Sequence, residues 1–176
     1  MKYMLPILTL CSFLLLPHIA TGQVINEGFG LDSIALVGIT KRELKRTFGK
    51  QYNSLIEKVE YCEYCDSSEY RSTTTTRDKR FMDYPQIGIT AFLSKKCRVE
   101  TLTFYDKRYT TSHGVAVGDS LNSVISKYTN LFHQYNYIGG QQYGIKFWLD
   151  DGVVTSITIF PAKPTLPGAP LAIPLE

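Results

Sequence analysis

The sequence predicts an α+β fold of two tandem units, each a helix followed by an antiparallel meander, with the helices packed on one face of the sheet. Two internal echoes support this. VGITKRELKRTFG (Val37 to Gly49) returns in altered form as VGDSLNSVISKYT (Val117 to Thr129). IGITAFLSKKCRVETLTFY (Ile87 to Tyr105) lines up with YGIKFWLDDGVVTSITIF (Tyr143 to Phe160) once one residue is skipped at the turn, and the order is the same in both copies. Alternation of apolar and polar residues in these later segments marks half-buried strands.

The 176 residues divide into a signal peptide (1–22), a lead-in without periodic signal (23–33), a first α/β unit (34–113) with an insertion (50–86), a second unit (114–160) and a Pro-rich tail (161–176). Lys2, the apolar run Leu5 to Leu16 and the small residues Ala20-Thr21-Gly22 have the layout of a cleaved export signal, which makes Gln23 the expected first residue of the mature chain. A retained anchor is the alternative, although the run is shorter than the roughly 20 residues that span a bilayer. Cys11 lies inside the apolar run rather than at the cleavage point, so no lipid attachment is expected. The address is therefore periplasmic or secreted, with no transmembrane segment in the mature chain.

Removing residues 1–22 takes Lys2 away and leaves 18 basic against 16 acidic side chains. That balance argues against nucleic acid as the partner, because phosphate binding needs a concentrated basic surface. The 12 Tyr and 9 Phe suit a sheet protein, and any exposed surplus points to a recognition face.

The first helix carries its own punctuation. Thr40 is an N-cap, Glu43 completes a capping box, Leu44 and Phe48 share a face, and Gly49 stands where helices stop. In the second unit Ser120 takes the cap, and Leu121, Val124, Ile125 and Tyr128 make the stripe. Gly38 and Gly118 hold matching places two residues before the caps. Within the insertion, Leu55, Ile56 and Val59 fit one face of a further short helix, whereas Thr73 to Thr76 favour strand. Gly139-Gly140 reads as a hairpin turn between His133–Ile138 and Tyr143–Leu149. Asp150-Asp151-Gly152 reads as the next turn, with Ser94-Lys95-Lys96 as its counterpart.

Strand parity then assigns faces. Ile87, Ile89, Ala91 and Leu93, matched by Tyr143, Ile145, Phe147 and Leu149, should lie under the helices with Leu102, Phe104, Ile157 and Ile159. The opposite face carries Thr90, Phe92, Thr101, Thr103 and Tyr105 in one unit, and Lys146, Trp148, Ser156, Thr158 and Phe160 in the other. In the tail, prolines 161, 164, 167 and 170 recur every third residue, the spacing of a polyproline II edge. Such a segment either lies across the domain or stays extended, or it serves as a peptide ligand for another protein.

A capped amphipathic helix ending near glycine, followed by a meander and then doubled, resembles the β-lactamase inhibitory protein and the related SmpA/OmlA-type envelope lipoproteins. Gly38, Thr40, Glu43, Leu44, Phe48 and Gly49 carry the likeness, echoed by Gly118, Ser120, Val124 and Tyr128. The missing lipid-attachment cysteine, Thr129 in place of the terminal glycine and the long insertion depart from the pattern. The resemblance implies a non-enzymatic protein-binding module whose exposed sheet face covers a partner protein. Phe92, Tyr105, Trp148 and Phe160, with Thr103 and Lys146 among them, are the corresponding binding residues. An inhibitor or immunity-type protein is the sharpest form of that expectation, and an envelope scaffold or assembly factor is the alternative.

Other motifs carry competing chemistry. Gly118-Asp119-Ser120-Leu121 spells the GDSL string of a serine esterase family, but Ser120 aligns with Thr40, so helix capping explains it. Cys62, Cys65 and Cys97 are disulfide candidates in an oxidising compartment, with a bridge from Cys62 or Cys65 to Cys97 stapling the insertion to the sheet. Zinc and redox chemistry at Cys62-Glu63-Tyr64-Cys65 are the alternatives, and neither finds its usual context. No cofactor or metal is expected. Arg71, Arg77, Lys79 and Arg80 form a basic cluster that reads as a solvated loop or as a contact for an acidic surface.

Overall fold

The computed structural model describes residues 22–62 and 74–163. The expected leader up to residue 21, Cys65, Arg71 and the tail beyond Lys163 lie outside the described residues.

The lead-in 23–33, expected to be irregular, forms two short strands, β1 (Gln23–Asn26) and β2 (Gly30–Leu31), and β3 (Ile34–Ala35) follows at the start of the first unit. Helix α1 (Lys41–Phe48) follows the expected cap closely. Thr40 Oγ1 accepts from the Glu43 N–H at 3.3 Å, and the Glu43 carboxylate accepts from the Thr40 N–H at 2.8 Å. The Thr40 N–H and then the Thr40 hydroxyl, both donating to that carboxylate, hold the Glu43 carboxyl below its ordinary value. Four strands come next: β4 (Asn53–Cys62), β5 (Thr74–Tyr84), β6 (Ile89–Leu93) and β7 (Val99–Phe104). After β8 (Tyr109–Thr111), helix α2 (Leu121–Lys127) opens on Ser120, whose hydroxyl accepts from the Ser123 N–H at 3.3 Å. Four more strands close the chain: β9 (Phe132–Gln134), β10 (Tyr137–Gly140), β11 (Ile145–Asp150) and β12 (Val153–Ile159).

The strands form two sheets. One has eight strands in the order β4-β5-β6-β7-β12-β11-β10-β9, every neighbouring pair antiparallel, with β7 against β12 at its centre. The other has the order β3-β2-β1-β8, and its β1·β8 pair is parallel, Ile25 opposite Thr111.

The α+β class is therefore corrected to a mainly β fold. The helices have only 8 and 7 residues, and helices shorter than about 12–15 residues are marginal without tertiary support. Each is held by its cap and one fully buried side chain, Leu44 or Val124, beside an aromatic at its C-terminal end. Phe48 meets Tyr84 edge-on at 5.5 Å and Tyr128 meets Phe147 at 5.1 Å. The small sheet packs on the same side of the large one. Its Ile25, Leu31 and Tyr109 join the core of Ile89, Leu102, Phe104, Ile145, Ile157 and Ile159, and the Tyr109 hydroxyl donates to the Ile87 carbonyl at 2.5 Å.

Three local expectations also change. Residues 55–59 belong to β4, where Leu55 opposes Phe81, because pairing with β5 supplies backbone bonds that a few apolar residues in helical spacing do not. Gly139 and Gly140 lie inside β10, not in the turn. A Cβ on Gly139 would stand 2.6 Å from the Ile145 carbonyl oxygen and 3.0 Å from Lys146 Cγ, so the strand needs glycine for a close neighbour. The reversal falls on Gly144 at φ 65°, as it does on Gly88 before β6. Cys97 carries a free thiol 3.6 Å from an Arg80 guanidinium nitrogen, in the turn before β7. The expected bridge to Cys97 is therefore not formed.

Candidate functional site

With helices and small sheet on one side, the other face of the large sheet stays open. Strand parity brings three cross-strand rows onto it. Phe81, Phe92 and Thr101 form one row and Tyr137, Trp148 and Ser156 another. Between them run Thr90, Thr103, Thr158 and Lys146, ending at Gly139 and Phe132. A groove of about 870 Å³ follows these rows, lined by side chains from seven strands, β5 to β9 in sheet order. At the usual spacing seven strands span roughly 29 Å, and the coil of a twisted sheet this wide turns one face concave, which lets one groove draw on all of them. Irregularities in register follow directly after Phe92 and Trp148, and such bulges bend strands and re-aim side chains.

The floor of the groove is internally bonded. The Thr103 and Thr158 hydroxyls meet at 2.8 Å across the central seam, and Trp148 Nε1 donates to Thr158 Oγ1 at 2.9 Å. Both threonines are thereby satisfied, and the indole is fixed in direction. Aromatic rings stand on either bank: Phe81 against Phe92 at 5.5 Å on one, Phe132, Tyr137 and Trp148 at 5.7 and 5.3 Å on the other. Lys146 rises between, its ammonium 4.7 Å from the Tyr137 ring and 5.7 Å from that of Phe160. Cation–π contact of this kind holds the amine without neutralising it.

Of the residues expected on this face, Phe92, Thr103, Lys146, Trp148 and Phe160 line the one groove. Tyr105 does not line it. Its hydroxyl donates to Asp83 at 3.0 Å, and burial followed by that carboxylate pushes the phenol up to about 12. Tyr105 and Phe160 are nonetheless equivalent in the backbone, their N–H groups donating to Gly88 and Gly144. Phe81, Phe132 and Tyr137 complete the aromatic banks. Sequence reasoning does not reach them, because nothing in the insertion 50–86 gives Phe81 a register, and a turn placed at Gly139-Gly140 leaves Phe132 and Tyr137 without their strand partners.

A second polar cluster ties the two sheets and α2 together. Glu27 accepts from the Tyr128 hydroxyl at 2.5 Å and from Ser112 at 2.7 Å, and His113 Nδ1 lies 3.0 Å from it. Burial pushes the Glu27 carboxyl up, but these bonds outweigh it and hold the group below its ordinary value. Residues 85 to 101 positions apart carried no local signal for this. The cluster is not a serine-nucleophile site, since Ser112 and Glu27 both address the same ring nitrogen of His113. Ser120 of the GDSL string serves as a cap, and among the described residues no histidine bonds its hydroxyl.

A smaller pocket of about 430 Å³ gathers Lys41, Arg42 and Lys45 of α1 with Lys96 and Cys97, cations that are far apart in sequence. Among the described residues, no group of His, Cys, Asp and Glu is placed to hold a metal ion, and no helix is long and apolar enough to cross a membrane. Comparison of the chain with family models, curated proteins and solved structures finds no match in any of the three.

Proposed function

We propose that this chain is an exported, non-enzymatic protein-binding module that engages its partner through the curled open face of the large sheet. The observation that carries this reading is the groove itself, in which six partly buried aromatics flank a floor whose hydroxyls are already bonded to one another. Aromatic anchors set around a satisfied polar floor have the make-up of interface hot spots. Its volume also suits a small ligand, but a lining drawn from seven strands favours an extended partner segment over an enclosed molecule. The repeated capped-helix pattern, in which the sequence resembles the β-lactamase inhibitory protein, makes an inhibitor or immunity-type protein the sharpest version of this reading.

The test is capture of a partner from envelope extract and culture medium by immobilised wild type and by a Phe92→Ala/Trp148→Ala double variant. A partner held by wild type and lost by a folded double variant is the expected result. Equal recovery by both would remove the groove from the interface. Recovery of an outer-membrane protein rather than a soluble enzyme or toxin would favour the scaffold reading.

A further inference from the structure

The groove is electrostatically one-sided. Its lining includes Lys79, Lys146 and Lys163 and no carboxylate. Lys79 lies opposite Glu57 in the β4·β5 register, which leaves Lys146 and Lys163 as the cations of the lining with no acid facing them across a ladder. Among the described residues no carboxylate is ion-paired with either.

The position of Lys146 is also built. Its neighbour across the ladder is Gly139, where a side chain would press on Lys146 Cγ, and this leaves the stem an open lane along the sheet. Tyr137 and Phe160 hold the ammonium over the middle of the groove. A lysine on an open edge would be solvated. Here the rings occupy part of its hydration shell, which makes an incoming anion worth more than at a free surface. The hydroxyls beside it are already satisfied, so the strongest unmet demand in the groove is for negative charge.

The geometry points to an acidic partner segment: an extended stretch of another protein that places an Asp or Glu carboxylate on Lys146 and aliphatic or aromatic side chains on the two ring banks. This deepens the protein-binding reading and rests on it. Lysine meets the carboxylate as a charge without the bidentate geometry arginine would impose, so either acid is accepted.

The probe is a random peptide library selected on the full chain, with binding followed through the emission of Trp148, the chain's single tryptophan. Enriched sequences should carry Asp or Glu beside large apolar residues, and their binding should weaken with added salt. Lys146→Met, which keeps the stem, should weaken them about tenfold, while Lys146→Arg stays near wild type. Thermal melts of both variants show that the fold is intact. Peptides that depend on Phe92 and Trp148 but lack acids and ignore Lys146→Met would overturn the acidic-segment inference and leave protein binding through the groove standing. Apolar sequences resembling the chain's own residues 164–176 would overturn it in the same way. A selection yielding nothing that depends on Phe92 or Trp148 would overturn both.

Discussion

Trp148 donates its indole N–H to the Thr158 hydroxyl at 2.9 Å, and that hydroxyl in turn meets Thr103 across the seam where β7 joins β12. The largest ring in the groove is thus oriented by the join between the two four-stranded halves of the sheet. Thr158→Val keeps the shape and removes the acceptor. It should cost about 1 kcal/mol of stability. Denaturant titration measures the loss, and a shift in Trp148 emission would report the freed indole.

Gly144 sits at φ 65°, and a Cβ there would stand 2.3 Å from the Phe160 carbonyl oxygen. Gly152 has φ 74° with nothing within 4 Å of a Cβ. Gly152→Ala should therefore cost only the left-handed penalty, about 1–2 kcal/mol, and Gly144→Ala distinctly more. Equal denaturation midpoints for the two variants would count against the close approach at Phe160.

Glu27 links β1 to Ser112, His113 and Tyr128, with its side chain 11% exposed. Its folded-state pKa is lowered, so its contribution is present above the unfolded value of about 4.3 and disappears as pH falls through the folded one. Glu27→Gln should cost about 1.5–3 kcal/mol at neutral pH. The gap between wild type and variant in urea titrations should narrow steadily as pH falls below that unfolded value.

Lys41 and Arg42 occupy the first turn of α1, at the positive end of the helix dipole, and the one acid there, Glu43, is engaged by Thr40. Lys41→Glu should stabilise the chain by about 0.3–1 kcal/mol. Salt should shrink that gain, because the charges are near the surface. A melting temperature that falls in the variant would contradict this account.

Much of the local structure is legible in the residues. Thr40 and Glu43 spell a cap that forms as written, and alternation at Ile89, Ala91 and Leu93 or Ile145 and Phe147 separates core from open face. Legibility fails where pairing is distant. Val24 opposes Thr110 in a parallel ladder, a contact across more than eighty residues that no window around Val24 reveals. Leu55, Ile56 and Val59 fit a helix as well as a strand until β5 is alongside, and Gly139 resembles a turn until Lys146 and Ile145 are placed beside it.

By itself, then, the sequence determined caps, turns at Asp151-Gly152, strand parity and hence which side of the sheet Phe92, Thr103, Lys146, Trp148 and Phe160 occupy, because periodicity and capping are short-range and local in origin. Only the tertiary structure decided that the fold is mainly β, that Cys97 keeps a free thiol beside Arg80, and that Phe81, Phe132 and Tyr137 join the groove while Tyr105 turns to Asp83. Those outcomes depend on which strands meet and how the sheet curls. Both are set by packing between segments far apart in the chain.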